Sequence, residues 1–354
     1  MLNPTAVHLF DGIGGFPLGL QRAGWKSLWA NDNNKYACQI HRKNFKEIEL
    51  VERDIREVKP EEIPEATLLT AGSPCQSFSV AGKREGFNDI RGTMFFEVIR
   101  IVKAKRPKLL LLENVKGFLS AQEGYCFWAI KESLEELGYF VEWQVLNSKY
   151  FGVPQNRPRV FIVGHSREGG TTPIFPIGKD GAISFTKASD KPEGDQAGTL
   201  EASYGKSKSL GNHVKEIVGT LTGGAHSGGL HSQMTILSNS VRSGGRGSLD
   251  RHTWDIIQIK RTKADGTHLL RKYQGETPTL TSQMGTGGNN VPLVTEQETY
   301  RRLTEKECER LQGFPDDYTQ GVSSSQRYRL LGNAVTVNVI EFLGRLLIHS
   351  VQHK

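Results

Sequence analysis

The first half of the chain, to about residue 165, alternates short apolar runs with stretches in which apolar side chains recur at helical spacing. This alternation predicts a parallel β-sheet with helices packed on both faces. The predicted strands are residues 7–10, 27–30, 48–51, 68–70 and 109–112. The predicted helices are residues 95–105 and 127–137.

The pattern changes at about residue 164, where Gly, Ser and Thr become dense and regular periodicity fades. Within this part, residues 253–259 are predicted to form a short strand. Order returns near residue 301, because Thr304 and Glu307 form a capping box and Gly313 suits the end of that helix. A final amphipathic helix is predicted over residues 335–351.

Composition and charge narrow the class of protein. The 354 residues are 37% hydrophobic and 23% charged, as is usual for a soluble globular protein. Residues 205–292 contain eleven Lys/Arg and five Asp/Glu, so this segment carries six of the seven net positive charges. We expect it to meet phosphate groups, although a solvated basic loop region would show the same charge.

The four cysteines are scattered and include no Cys-x-x-Cys pair. This spacing predicts a reducing compartment, no structural zinc and a reactive thiol. The N-terminus lacks a basic stretch followed by an apolar run, so no signal peptide is expected. No run approaches about 18 consecutive apolar residues, which argues against a membrane span.

Polar groups follow five of the predicted strands. Because the carboxyl ends of parallel strands meet at one edge of a sheet, these groups should lie together at a ligand site. Any one of them alone could be a turn former. They are Asp11-Gly12, Asp32, Asp54, Pro74-Cys75 and Glu113-Asn114.

The glycine-rich turn at residues 10–15 would let a ligand approach the backbone closely. It departs from the dinucleotide fingerprint, because Pro17 occupies the third glycine position. A nucleoside without a pyrophosphate is therefore favoured over NAD. Asp32, twenty residues after Gly12, is placed to accept hydrogen bonds from ribose hydroxyls.

Cys75 is the candidate nucleophile, since it follows a stiff proline turn in a polar Ser/Gln setting. Glu113 ends an apolar strand, where it would have reason to hold a proton and donate a hydrogen bond. Arg157 and Arg159 alternate along an extended segment and should point to opposite faces. One of them could then reach the site while the other makes structural bonds.

Taken in order, these segments closely resemble the DNA cytosine-5 methyltransferases, and the resemblance spans the chain. A Pro-Cys-Gln match alone would be modest, whereas the full set in this order is specific. The matching segments are residues 10–15, 31–32, 53–55, 72–79, 91–93, 113–115, 155–159, 302–315 and 332–335.

The resemblance implies a Rossmann-like α/β fold that binds S-adenosylmethionine, with a smaller target-recognition domain rich in loops and strands. The catalytic domain would span residues 1–185, the recognition domain 186–323, and residues 324–354 would return to the catalytic domain. The implied residues of the S-adenosylmethionine pocket are Phe10, Gly12, Gly14, Asp32, Asp54, Ile55, Pro74, Asn333 and Val335.

The resemblance also implies the reaction. Cys75 would attack a flipped-out cytosine in a specific double-stranded DNA sequence, Glu113 would act at the pyrimidine N3, and Arg159 would contact the base carbonyl. Arg157 is grouped with these catalytic residues, no metal is expected, and residues 80–91 would form a closing loop. We expect a monomeric, cytoplasmic modification enzyme of bacterial or phage type, with a possible partner restriction endonuclease acting on the same site.

Other readings of the sequence remain. A class that methylates cytosine in tRNA shares these motifs, but it carries a Cys-Phe-Thr signature, and residues 127–307 contain no cysteine. A DNA-binding regulator that has lost catalysis would not need Cys75, Glu113 and Arg159 together. A Rossmann oxidoreductase is disfavoured by Pro17.

Overall fold

The computed structural model describes residues 4–73, 94–177, 255–262, 268–274, 276–282, 284, 292–296 and 299–352. Seven of the described strands form one sheet. They are β1 (Thr5–Leu9), β2 (Lys26–Asp32), β3 (Glu49–Glu52), β4 (Leu68–Ala71), β5 (Leu109–Val115), β6 (Tyr139–Asn147) and β7 (Pro158–Ser166). Their order across the sheet is β3-β2-β1-β4-β5-β7-β6, which confirms the predicted α/β class.

Seven α-helices occur in the described part of the chain. They are α1 (Gly15–Arg22), α2 (Lys35–Asn44), α3 (Met94–Lys105), α4 (Tyr125–Glu136), α5 (Glu305–Leu311), α6 (Ser324–Asn333) and α7 (Val337–Gln352). Short 3-10 turns lie at Ile55–Glu57, Pro60–Glu62, Lys116–Gly124 and Ser148–Tyr150. The predicted capping box of α5 is confirmed, since Thr304 and Glu307 exchange both hydrogen bonds.

The five predicted strands are parallel, as expected, and the sheet continues at one edge with two strands that were not predicted. Strand β7 lies between β5 and β6 and runs antiparallel to both. The connection from β6 to β7 is only residues 148–157, too short for the crossover that a parallel pair requires. The antiparallel direction brings the beginning of β7 to the carboxyl end of β5.

Two apolar layers cover the sheet. Helices α3 and α4 pack on one face, where Val98, Ile101 and Ile130 are buried. Helices α1 and α7 pack on the other face around Leu20 and Ile340. A third cluster joins the C-terminal part of the chain to α2, and its members include Ile40, Phe45, Leu311, Phe314 and Leu331.

The stretch Ser324–Val351 is long and apolar enough to cross a membrane by length and composition alone. It is not one continuous helix, because Ala334 is extended and separates α6 from α7. Half of its apolar window is buried inside the protein. Leu343 and Leu347 are fully buried in the layer formed with α1, as expected of a core helix.

A second sheet has the strand order β11-β10-β8-β9 and is antiparallel throughout. Its strands are β8 (Asp255–Thr262), β9 (His268–Gln274), β10 (Pro292–Glu296) and β11 (Thr299–Arg302). It falls in the part of the chain where short strands between glycine turns were predicted. From Leu303 onward, buried side chains join the cluster on α2, so residues 303–323 pack with the first sheet.

Candidate active site

The turn after β1 is shaped by left-handed backbone at Phe10, Gly12 and Gly14, whose φ angles are 53°, 63° and 89°. The Gly12 N–H donates to Asp32 Oδ2 at 2.8 Å, and the Asn34 N–H donates to Asp32 Oδ1 at 2.8 Å. Burial raises the pKa of Asp32, and these two backbone donors oppose that rise. Asp32 is therefore fixed against the turn from the end of β2.

The backbone of this turn is open at Gly12 and closely packed at Gly14. A Cβ built on Gly12 would meet no atom within 4 Å, so one side of the turn is open. On the opposite side, a Cβ on Gly14 would lie 2.3 Å from the Phe45 ring, so the backbone there is tightly backed by protein. An open backbone surface beside a fixed carboxylate is what a ribose-bearing ligand requires.

Asp54 lies after β3 and caps the turn Ile55–Glu57 by accepting from the Arg56 N–H at 2.9 Å. The Arg56 side chain also donates to both carboxylate oxygens. The hydrogen bonds from Arg56 lower the pKa of Asp54 to about 2, so its carboxylate is charged at neutral pH. Ile55 is buried directly behind it.

Glu113 lies within β5, because this strand continues to Val115 and not only to residue 112 as predicted. Its Oε1 is 3.0 Å from Nε of Arg159, and the two side chains are 11% and 15% exposed. The pair thus sits in a half-closed position from which both groups can reach a ligand. Of the two arginines, Arg159 is the one that the structure brings to Glu113.

The chain before the candidate nucleophile runs close to Glu113. A Cβ on Gly72 would lie 3.9 Å from Glu113 Oε2 and 3.7 Å from the Phe10 carbonyl oxygen. Asn114 Nδ2 donates to Ser73 Oγ at 3.3 Å and to the Ser73 carbonyl at 3.5 Å. The ends of β1, β4 and β5 therefore meet at one point. The sequence showed Asn114 beside Glu113 but gave no indication of this tether.

Some site predictions fall on positions that the structure does not describe. Pro74, Cys75 and the closing loop at residues 80–91 lie outside the described residues. The three other cysteines are described, and all are buried. Burial raises the pKa of Cys38 to about 12 and raises that of Cys308 well above its usual value.

Arg157 has a different position from Arg159. Its side chain is buried, and its guanidinium donates to the carbonyl oxygens of Leu280 at 2.9 Å, Gly332 at 3.1 Å and Ala334 at 2.7 Å. These bonds join the residue just before β7 to two distant parts of the chain. The contacts are those of an architectural residue, which is the structural alternative that the sequence left open.

The far end of the chain completes the turn after β1. A Cβ on Gly15 would lie 2.7 Å from Val335 Cγ2, so Val335 packs directly against the start of α1, while Asn333 is exposed at the end of α6.

Gln155 Nε2 donates to the Leu311 carbonyl at 2.9 Å. In the sequence, Gln155 appeared only within the motif at residues 155–159, and nothing in that motif predicted that its side chain is buried.

Comparison with known proteins agrees with this geometry. The family model described as C-5 cytosine-specific DNA methylase matches residues 5–349. The chain is 34% identical over 98% of its length to the Type II methyltransferase M.Bsp6I of Bacillus sp. (strain RFL6), of which 98% is covered. It is 32% identical over 98% of its length to the Type II methyltransferase M.HhaI of Haemophilus parahaemolyticus, of which 95% is covered.

Solved structures with the same fold include DNMT2 of Spodoptera frugiperda, with a TM-score of 0.63 and 20% identity over 98% of this chain and 100% of that one. A putative DNA modification methyltransferase of an Escherichia coli prophage gives a TM-score of 0.62 and 20% identity over 99% and 100%. At this identity the likeness shows the fold. The family model and the curated relatives show more: the chain belongs to the C-5 cytosine-specific DNA methylases, which use S-adenosylmethionine as methyl donor.

Proposed function

We propose that this enzyme methylates carbon 5 of a cytosine held outside the helix of a specific double-stranded DNA sequence, through a temporary bond to Cys75. The observation that carries the proposal is the meeting of β1, β4 and β5 at Gly72, Phe10 and Glu113. This arrangement joins the donor-side turn, the acid group and the chain that leads to the thiol within a few ångströms.

Cys75 would act as the nucleophile. Carbon 5 of cytosine is a weak nucleophile, and addition of a thiolate to carbon 6 makes it an enamine carbon. Cys38 and Cys308 are unsuited to this role, because burial raises the pKa of both thiols. The reaction must take the base out of the stack, at a cost of a few kcal/mol.

Glu113 and Arg159 would bind the two polar edges of the base. As sulfur adds to carbon 6, the Glu113 carboxyl group donates its proton towards N3, and Arg159 donates to the base carbonyl oxygen. Their 3.0 Å contact supports a shared position on one base. After methylation, water takes up the carbon-5 proton, N3 returns its proton to Glu113, and the Cys75 sulfur leaves as a thiolate, which restores the aromatic ring.

The turn after β1 would hold the methyl donor. Asp32 would bind the ribose hydroxyls, and Asp54 and Ile55 would contact the base of the nucleoside. Phe10, Gly12 and Gly14 would present their backbone to the ligand. Pro74, Asn333 and Val335 would close the pocket. Bound S-adenosylmethionine supplies an electrophilic methyl group, and the protein orients it towards the cytosine. Arg157 would support this frame through its three carbonyl contacts.

DNA recognition would lie in the segment between the two catalytic parts. The basic excess of residues 205–292 supports a phosphate-facing surface there. We place the domain at residues 186–323, with residues 303–323 already packed on α2. Residues 80–91 would close over the flipped base. The enzyme would act as a cytoplasmic monomer, and a restriction endonuclease of the same specificity is the expected partner.

The covalent route is tested with Cys75→Ala, which should abolish methyl transfer while DNA binding survives. DNA that carries 5-fluorocytosine at the target should give a stable protein–DNA adduct on a denaturing gel, since fluorine cannot leave as a proton does. Retained turnover by the variant would rule the route out. Exchanging residues 186–300 with those of a relative should change the sequence methylated, and unchanged specificity would contradict the domain assignment.

A further inference from the structure

We propose that Asp11 and His41 are positioning residues for the methyl donor, forming a buried charge pair that holds the turn after β1 and offsets the Asp11 charge beside Asp32. The inference rests on the proposed role of Asp32 at the ribose. Neither Asp11 nor His41 takes part in the reaction described above.

The pair is enclosed by protein. His41 Nε2 lies 3.1 Å from Asp11 Oδ2, and both side chains are 0% exposed. Within the described residues, none of the four polar side-chain atoms of Asp11 and His41 has a hydrogen-bond partner, so the two side chains approach each other closely without a hydrogen bond. His41 comes from the buried face of α2, and its ring lies 5.0 Å from that of Phe45. The same Phe45 ring backs the turn at Gly14.

A buried carboxylate with so few donors is costly unless a positive charge compensates it. His41 is the basic side chain that the structure brings within 3.1 Å of the Asp11 carboxylate. It lies in the last turn of α2, where the helix dipole favours a cation. The Asp11 backbone is fixed as well, because its N–H donates to the Asn31 carbonyl at 2.9 Å and its carbonyl accepts from Gly14 at 3.2 Å.

The charge of Asp11 bears on Asp32 because the two carboxylates flank one turn. Burial raises the pKa of Asp32, the N–H groups of Asn34 and Gly12 lower it, and the Asp11 carboxylate raises it further. Asp32 must be ionised to accept from two ribose hydroxyls. The His41 ring, 3.1 Å from Asp11 Oδ2, is placed to offset the Asp11 charge beside Asp32.

The other titratable groups around the pair stay neutral at neutral pH. Burial lowers the pKa of His8 to about 4, and its ring contacts Thr70 and Ser27 hydroxyls. Burial raises the pKa of Cys38 to about 12 and that of Tyr318 well above its usual value.

Charged residues also lie nearby on the surrounding helices and strands. Arg42 and Glu52 form an exposed pair of their own, and Arg22 lies at the end of α1. Asp11 is the charged side chain that raises the pKa of Asp32, and His41 is the basic side chain beside Asp11.

The test is the pH dependence of S-adenosylmethionine binding, measured by calorimetry between pH 5 and pH 8 in the full chain. In His41→Gln the Asp11 charge is left uncompensated, so binding should be lost at a higher pH than in the parent, with affinity about tenfold weaker at pH 5.5 than at pH 8. In Asp11→Asn the loss of binding should occur at a lower pH than in the parent. The double variant should return the pH profile close to that of the parent.

A pair that only stabilises the fold would give different results. Both single variants would then lower thermal stability and move the pH profile of binding in the same direction or leave it in place, and either result would overturn the proposal. If His41→Gln does not fold, Asp11→Asn still tests the proposal, because the pH at which its binding is lost must be lower than in the parent. Asp32→Asn distinguishes a failure of this proposal from a failure of the proposed role of Asp32. Parent-like affinity and a parent-like pH profile in that variant would refute the role of Asp32 itself.

Discussion

Arg159 Nε lies 3.0 Å from Glu113 Oε1, although the two residues stand 46 positions apart in the sequence. The contact follows from the register of β5 and β7, in which Val115 faces Arg159 and Glu113 faces Phe161. Residues on one face of paired strands reach each other diagonally. A parallel β7 would have carried Arg159 to the opposite edge of the sheet, away from Glu113.

The Glu113–Arg159 pair should matter for rate and little for stability. Glu113→Gln keeps the shape and removes the acidic proton, so methyl transfer should fall by about 10²–10⁴-fold. Single-turnover transfer of a labelled methyl group to DNA measures this directly, with the unfolding midpoint as control. A fall in rate that only tracks a loss of folded protein would contradict the assignment.

Arg157 should behave in the opposite way. Arg157→Met leaves three buried carbonyl oxygens without their donor, and we expect a loss of roughly 3–5 kcal/mol of unfolding free energy. Arg159→Met is the matched control, with a small change in stability and a large change in rate. Urea denaturation of both variants decides the matter, and equal stabilities would show that Arg157 is not architectural.

Gly332 is required by a close backbone approach. A Cβ at this position would lie 2.2 Å from the carbonyl carbon of Thr281 and 2.4 Å from the Ser282 nitrogen, both of them backbone atoms that cannot easily move. Gly332→Ala should therefore destabilise the protein by about 1–3 kcal/mol. Gly117→Ala is the control, because a Cβ there meets nothing within 4 Å.

His8 should make the protein sensitive to acid. Burial lowers its pKa to about 4 in the folded chain, against 6.5 when unfolded. Between these values the unfolded chain binds a proton that the folded chain does not, so stability should fall by roughly 3 kcal/mol as pH drops from 6.5 to 4. His8→Gln should flatten this decline, whereas the same change at exposed His349 should leave it steep.

Local patterns predicted most of the first sheet. Strands β1, β2, β4 and β5 have apolar runs that are typical of buried strands, and the polar residues after them predict a ligand site at that edge. The insertion of β7 between β5 and β6 was not predictable, because the pairing of strands depends on contacts far apart in the sequence. Nothing in the local pattern distinguishes β7 from a parallel strand.

The same limit applies to the site. Asp32 and Glu113 were predicted as site residues because each follows or ends an apolar run, and Gly12 because a turn needs it. The separate roles of Arg157 and Arg159 depend on which side of β7 faces the protein interior. The pairing of Asp11 with His41 depends on how α2 packs, which the sequence of either segment does not reveal.

Both ends of the long insert between β7 and α5 are anchored to the catalytic frame. The Gln144 side chain holds the Ile177 backbone through its N–H at 3.0 Å and its carbonyl at 3.2 Å. On the return, Asn156 N donates to the Thr277 carbonyl at 2.8 Å. Both ends of the insert are thus held at fixed positions by the catalytic frame. Under the proposed role of this insert in DNA recognition, replacement of the chain between its two anchored ends should change the sequence recognised and leave the geometry around Glu113 unchanged.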